Sequence, residues 1–294
     1  MVGYHETRAR VQSGFAGELF AKFIQGLAAK MLVHITKDFE ELSREAARVT
    51  ANAIRTKKDL RLGLATGSTP LGLYRELIRM HREDGLDFSR VATFNLDEYI
   101  GLPAGHPQSF RSVMFRELFD HINIPVANIH IPDGKPREDY EKYCEEYEEE
   151  IRRAGGIDLQ VLGLGVEGHI GFNEPTSSLA SRTRPKTLTR QTVEDNRKFF
   201  GAKEEPPHAA ITMGIGTILE ARRVLLLASG TAKARAVALA VEGPVTASVS
   251  ASALQMHRNA TALVDREAAA NLAHREYYER ALEMTRKLTP GRLW

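Results

Sequence analysis

Residues 161–175 read VLGLGVEGHIGFNEP, an apolar run that breaks into glycines and then presents His169 between two carboxylates. Val161, Leu162 and Leu164 have the character of a buried strand's end, and Gly163, Gly165, Gly168 and Gly171 let the chain turn sharply and lie close to a ligand. Glu167 and Glu174 flank the histidine, an arrangement that holds an imidazole in one tautomer and tunes it for proton transfer near neutral pH. The plainer reading is a surface loop with solvated charges. The strand in front and the glycines on both sides weigh against it.

Working outward, the chain has 294 residues, 43% hydrophobic and 27% charged, with a net charge of +2. That length allows one large α/β domain, and the charge balance carries no basic excess of the kind that grips nucleic acid. A single cysteine, Cys144, rules out an internal disulfide and a cysteine-rich metal site, and fits a reducing compartment. The sequence shows no apolar run of membrane-spanning length and no signal-type segment at its start, so a cytoplasmic protein is expected.

Residues 1–30 place Phe15, Leu19, Phe20, Phe23, Ile24 and Leu27 on one face of an amphipathic helix, an extension whose true start is Met1 or Met31. From Met31 a strand precedes a helix to about Arg55. Residues 60–65 then form a short strand, followed at once by Thr66, Gly67, Ser68, Thr69 and Pro70 and by a helical pattern over 71–81. Strand, hydroxyl-rich turn and helix N-terminus make a phosphate site, with Pro70 suited to the first helical turn; the simple alternative is an N-cap. The lysine and spacing of a P-loop are missing. Residues 90–95 are a strand whose carboxyl end carries Asp97 and Glu98, adjacent carboxylates that point apart, so at most one meets a ligand.

Further along, 106–120 reads as helix, 128–131 as strand, and 137–153 as a charged helix with a solvated face. Residues 177–189 form a basic, hydroxyl-rich loop and 192–200 a helix. Strands at 208–213 and 223–229 follow, then a helix over 230–241 with Lys233 near its start. A cation there opposes the helix dipole and needs a reason, such as an anionic ligand. Strands at 245–250 and 261–264 flank a helix at 251–256, and 266–288 is a long closing helix before a loose tail, 289–294. Strands alternating with helices throughout predict one doubly wound, mostly parallel sheet with helices on both faces, a Rossmann-like α/β domain spanning 31–288. No G-x-G-x-x-G stands in dinucleotide context, so the fold implies no NAD.

The segments ATGSTPLGLY, FNLDEYIGLP with HPQSF, GVEGHIGFNEP, SLASRTR, KTLT and VEGPV resemble, in this order, the motifs of the glucosamine-6-phosphate deaminase family, over about 31–285. The resemblance implies conversion of glucosamine 6-phosphate to fructose 6-phosphate and ammonia, with no metal or organic cofactor, in a protein with no nucleic-acid or membrane partner, expected as a homo-oligomer. It also implies roles. Asp97 matches the base that moves a proton between C2 and C1 through an enediol-type intermediate, and His169 matches the residue that assists ring opening, oriented and tuned by Glu174 and Glu167. Thr66, Gly67, Ser68 and Thr69 match the phosphate cradle, together with Lys233.

Two positions depart from the pattern. Glu167 stands where the family most often has Asp, and one extra methylene is enough to misplace a carboxylate. Lys198 stands where the family has Arg before two phenylalanines; it keeps the charge but loses the bidentate fork, so a weaker phosphate grip is expected unless Arg197 substitutes. Ser177, Arg184 and Lys186 match residues that hold an N-acetylglucosamine 6-phosphate effector between subunits in some members. The alternatives are a non-catalytic sugar-phosphate sensor, suggested by those two departures, and a 6-phosphogluconolactonase-type hydrolase. The latter shares the histidine loop but lacks FNEP and the FNLDEY partner.

Overall fold

A computed structural model describes residues 31–103, 105–202 and 204–288; the amphipathic segment 1–30 and the tail 289–294 lie outside the described residues. In chain order the strands are β1 Leu32–Thr36, β2 Arg61–Leu64, β3 Ala92–Asn95, β4 Asp97–Tyr99, β5 Ile129–His130, β6 Leu159–Gly163, β7 Arg184–Thr187, β8 Ala209–Thr212, β9 Val224–Ala228 and β10 Ala260–Asp265. The α-helices are α1 Phe39–Thr56, α2 Ser68–Asp84, α3 Phe110–Glu117, α4 Tyr140–Arg153, α5 Arg190–Arg197, α6 Ile215–Leu219, α7 Ala234–Val241 and α8 Arg275–Leu288.

Seven strands form one parallel sheet in the order β1-β10-β9-β6-β2-β3-β5. Because successive strand residues face opposite sides, adjacent apolar positions feed two different cores. Val161, Leu225, Leu227 and Leu263 join Leu42, Leu73, Leu77 and Phe88 under α1 and α2. Leu162, Leu226, Ala262 and Val264 join Tyr147, Ile151, Ala236 and Val237 under α4 and α7. Near-continuous apolar strands are what a parallel sheet covered on both faces requires.

The chain runs outward from β2 through β3 to β5, then returns to lay β6 on the other side of β2 and continues to β9 and β10. Loops leaving β2 and β6 therefore part at the carboxyl ends of the strands, where doubly wound sheets bind ligands. The amino ends are held differently. Buried Asp158, just before β6, accepts from Lys57 Nζ at 2.7 Å and from the Arg61 amide at 2.9 Å, with Arg222 at 3.4 Å.

A second, antiparallel sheet of three strands, β4-β8-β7, departs from the single sheet expected. The loop expected at 177–189 contains β7, whose pairing with β8 is visible only across the intervening residues 188–208. Other corrections are local. Residues 245–250 carry only an isolated bridge, Thr246 to Val249, and the closing helix begins at Arg275, not Arg266. The helix expected over 106–120 is confined to α3, since His106 and Ser109 form turns ahead of it. The charged run 137–153 is not wholly solvated: α4 buries Cys144, Tyr147, Glu148 and Ile151. Glu148 is fully engaged, accepting from the Thr183 amide, the Thr217 hydroxyl and Arg182.

Candidate active site

Four loops meet at the carboxyl edge, leaving the neighbouring strands β9, β6, β2 and β3. The β2 loop holds Thr66 and Gly67, and α2 starts at Ser68. Gly67 has φ 127°, a conformation that favours glycine, and no side chain caps the helix. The N-cap alternative is therefore absent, and the free N–H groups at the start of α2 stand open to an anion beside the Ser68 and Thr69 hydroxyls. A cavity of about 370 Å³ opens on this turn, lined by Ser68, Thr69, Arg75, Glu117 and Ser229. It reaches neither Asp97 nor His169, so it flanks the reacting groups without containing them.

Strand β4, one residue after β3, supplies the carboxylates, and they do point apart. Glu98 is buried and accepts from the amides of Tyr99, Phe110 and Arg111, each at 2.9 Å, which caps the start of α3. Burial raises its pKa, against the lowering effect of those three donors. Asp97 is 6% exposed, and among the described residues its carboxylate accepts no hydrogen bond. Burial, reinforced by the charge of Glu98, pushes its pKa up to about 8.

The histidine loop after β6 is held from several sides. The Gly165 amide donates to the His169 carbonyl at 2.8 Å, and the Ala251 amide donates to Gly168 at 3.0 Å. Ser250 Oγ accepts from the Ile170 amide and donates to the Asn173 carbonyl, while the Phe172 amide donates to Thr212 Oγ1. Asn173 is wholly buried; its Nδ2 donates to the carbonyls of Ile170 and Met213. Three glycines are required by space, Gly168 among them, where a methyl group would meet Val249 Cγ1 at 2.6 Å. A methyl group at Gly165 would stand 2.3 Å from His169 Nε2, and one at Gly171 would meet Thr212 Oγ1 at 2.9 Å with Asp97 Oδ2 at 3.5 Å. Gly171 is thus where the two loops touch.

His169 Nδ1 faces Glu174 Oε2 at 3.7 Å, too long for a hydrogen bond, and neither atom has another partner among the described residues. Burial lowers the histidine's pKa; the carboxylate of Glu174 opposes this and Lys233 reinforces it, leaving the ring neutral at pH 7. The other oxygen of Glu174 accepts from the Thr189 amide at 3.2 Å, and Thr189 caps α5. Glu167 is exposed and makes no hydrogen bond to His169; it acts on the ring only through space.

Lys233 stands half-buried at the start of α7, in no ion pair among the described residues. Burial lowers its pKa, Asp195 opposes this, and Lys198 adds to it. Asp195 on α5 and Lys198, the residue just past its end, therefore lie within electrostatic reach of Lys233. Lys198 is exposed, with Nζ 5.1 Å from the Phe199 ring. Arg197 pairs with Glu194 instead of turning to the site. Of the suggested effector residues, Arg184 Nη1 donates to Asn173 Oδ1 at 3.0 Å, Ser177 Oγ is buried without a hydrogen-bond partner among the described residues, and Lys186 is half-buried on the same face of β7 as Arg184.

Sequence alone assigns Glu98 a direction away from the ligand but no partners, and assigns Thr189, Asn173, Thr212 and Ser250 no supporting role. Glu98, Thr189 and Asn173 lie inside the motifs FNLDEYIGLP, KTLT and GVEGHIGFNEP, whereas Thr212 and Ser250 lie in none and gain their meaning from partners distant along the chain.

An open anion turn, a buried uncommitted carboxylate and a neutral histidine backed by a second carboxylate define a class: an α/β enzyme arranged for proton transfer on an anionic small molecule. The chain belongs to the family described as glucosamine-6-phosphate isomerases/6-phosphogluconolactonase, whose profile matches residues 37–263. Within it, a glucosamine-6-phosphate deaminase of Thermoanaerobacter sp. (strain X514) is 51% identical over 81% of this chain and 94% of its own length. One of Hahella chejuensis (strain KCTC 2396) is 54% identical over 84% and 94%. A solved structure described as a monomeric glucosamine-6-phosphate deaminase superposes with a TM-score of 0.80 at 46% identity, covering 82% of this chain and all of that one. A 6-phosphogluconolactonase from Trypanosoma brucei, 23% identical with a TM-score of 0.65 over 83% of this chain and 99% of its own, shares the fold.

Proposed function

We propose that this chain is a glucosamine-6-phosphate deaminase, converting glucosamine 6-phosphate and water to fructose 6-phosphate and ammonia. The observation that carries this reading is Asp97: a buried carboxylate, free of hydrogen bonds among the described residues, whose proton affinity lies near neutrality. A general base that must take a proton from carbon and return it to the adjacent carbon is best matched by such a group.

In this reading the 6-phosphate sits on Thr66, Gly67, Ser68 and Thr69, with Lys233 and Lys198 as its cations. Neutral His169 takes the proton of the anomeric hydroxyl and delivers one to the ring oxygen, so that the C1–O5 bond opens to the aldehyde. Asp97 then removes the C2 proton; the electron pair forms C1=C2 as the C1 oxygen gains a proton. Return of a proton to C1 moves the double bond to C2=N, water adds at C2, and ammonia departs to leave the ketone. Glu174 orients the imidazole by closing the 3.7 Å gap when substrate arrives. Glu167, from its exposed place, tunes charge only.

The same reading makes the protein a hydrolase of the cytoplasm and a homo-oligomer, with Ser177, Arg184 and Lys186 as effector ligands. An anion bound at Arg184 would compete with Asn173 and so act directly on the loop that carries Glu174. A sigmoidal substrate curve shifted left by N-acetylglucosamine 6-phosphate, together with an oligomeric mass in sedimentation, supports this part; a hyperbolic monomer ends it.

The deciding experiment is ammonia release from glucosamine 6-phosphate by the purified protein, with Asp97→Asn as control. Release by the parent and its loss in the variant support both activity and base. A parent that binds the sugar phosphate yet releases no ammonia overturns the proposal in favour of a sensor.

A further inference from the structure

Helix α5 is fastened at both ends, and the fastening at its carboxyl end has no part in the chemistry above. At its start, Thr189 joins the helix to Glu174. At its end the chain turns through Phe199 and Phe200, and Phe200 buries itself against Tyr99, with ring centres 6.0 Å apart. The His106 ring stacks on Phe200 as well, at 6.1 Å and an interplanar angle of 18°. Glu204 closes the arrangement. One of its oxygens accepts from the Gly201 amide at 3.3 Å, immediately after Phe200, and the other lies 2.5 Å from His106 Nε2.

The tautomer follows from the neighbours. His106 Nδ1 accepts from the Gln108 amide at 3.1 Å, so in the neutral ring the proton is on Nε2, where it donates to Glu204. His106 is on the loop that follows β4, the strand that begins with Asp97, so this contact ties the loop of the base to the end of the helix that bears Lys198. We propose that His106 and Glu204 are positioning residues for phosphate binding, fixing the carboxyl end of α5 and with it the place of the Lys198 ammonium opposite Lys233. A lysine on a flexible stem makes a poor grip unless its backbone is held, and here the backbone is held from outside the site by the His106–Glu204 contact and one ring stack.

This inference rests on the reading of Lys198 as a phosphate ligand. It is tested with Glu204→Ala and Glu204→Gln, at a half-buried position outside the hydrophobic clusters, and with His106→Ala. Glu204→Ala is expected to raise KM for glucosamine 6-phosphate roughly tenfold, the size of one hydrogen bond to a charged group, with kcat within about twofold. Glu204→Gln, which keeps an acceptor oxygen, recovers part of that loss, and Glu204→Ala added to Lys198→Ala raises KM no further. Two measurements need no turnover and so separate this inference from the functional reading. Inorganic phosphate binding measured by calorimetry weakens in Glu204→Ala, and amide exchange over 190–197 in the unliganded protein quickens. An unchanged KM, a fall in kcat alone, a further loss on top of Lys198→Ala, or unchanged exchange over 190–197 each overturns the proposal.

Discussion

At Asp97 one property serves catalysis and costs stability. Its folded pKa of about 8 stands above its ordinary value of 3.8, so folding favours the protonated form. The stability this residue contributes is whole below about pH 4 and is lost as pH rises toward 8. Asp97→Asn, which removes the charge and keeps the shape, is therefore expected to be more stable than the parent in urea unfolding at pH 8–9. The difference should vanish near pH 4. Its ammonia release should fall by about a thousandfold, the range of a lost general base. The flanking carboxylates of His169 separate in the same way. Glu174→Gln is expected to lower kcat/KM by at least about tenfold and exposed Glu167→Gln by less than about threefold, read from initial rates. Asp97, His169 and Glu174 are legible in the sequence because strand ends and glycines surround them. Ser250 is not, since its partners Ile170 and Asn173 lie 80 and 77 residues away and nothing local marks it. The exposure of Glu167 is equally hidden, because proximity in sequence to His169 says nothing of side-chain direction.

Among the elements, the glycine turn after β6 has no room for a side chain at Gly165. Gly165→Ala would drive a methyl group to 2.3 Å from the His169 ring, and the ring, not the backbone, is what can yield. We expect kcat to fall about a hundredfold, the usual cost of a displacement near 1 Å, with the melting temperature little changed. Glu98→Gln tests the opposite case, an element held by a side chain outside the chemistry. One amide oxygen cannot serve three backbone donors, so a loss of about 1–3 kcal/mol in denaturant unfolding is expected. The parallel strands were legible from their apolar runs. Three-residue β4 and β7, with its sequence RPKT, were not, because short polar strands carry no period and declare themselves only through β8. Similarly, Glu148 looks like one more acid in a solvated run until Thr183 and Thr217 are folded onto it.

Taken whole, the molecule places its candidate chemistry at the carboxyl ends of β9, β6, β2 and β3 and an ion-paired aspartate at the amino end of the same sheet. Alternation of strands and helices predicts such a sheet, but strand order does not follow from periodicity, so the switch between β2 and β6 emerged only in three dimensions. Breaking the cluster at Asp158 leaves Lys57 without its partner and should lower unfolding free energy by about 2 kcal/mol, while kcat/KM at 25 °C stays within about twofold of the parent. Thermal denaturation and initial rates of Asp158→Asn check the two halves of that statement. If they hold, the protein's lifetime and its turnover are separately heritable traits. A lineage moving to a hotter or colder habitat can then adjust the residues around 57–61, 158 and 222 generation by generation, while the machinery at the other end of the strands passes through the change untouched.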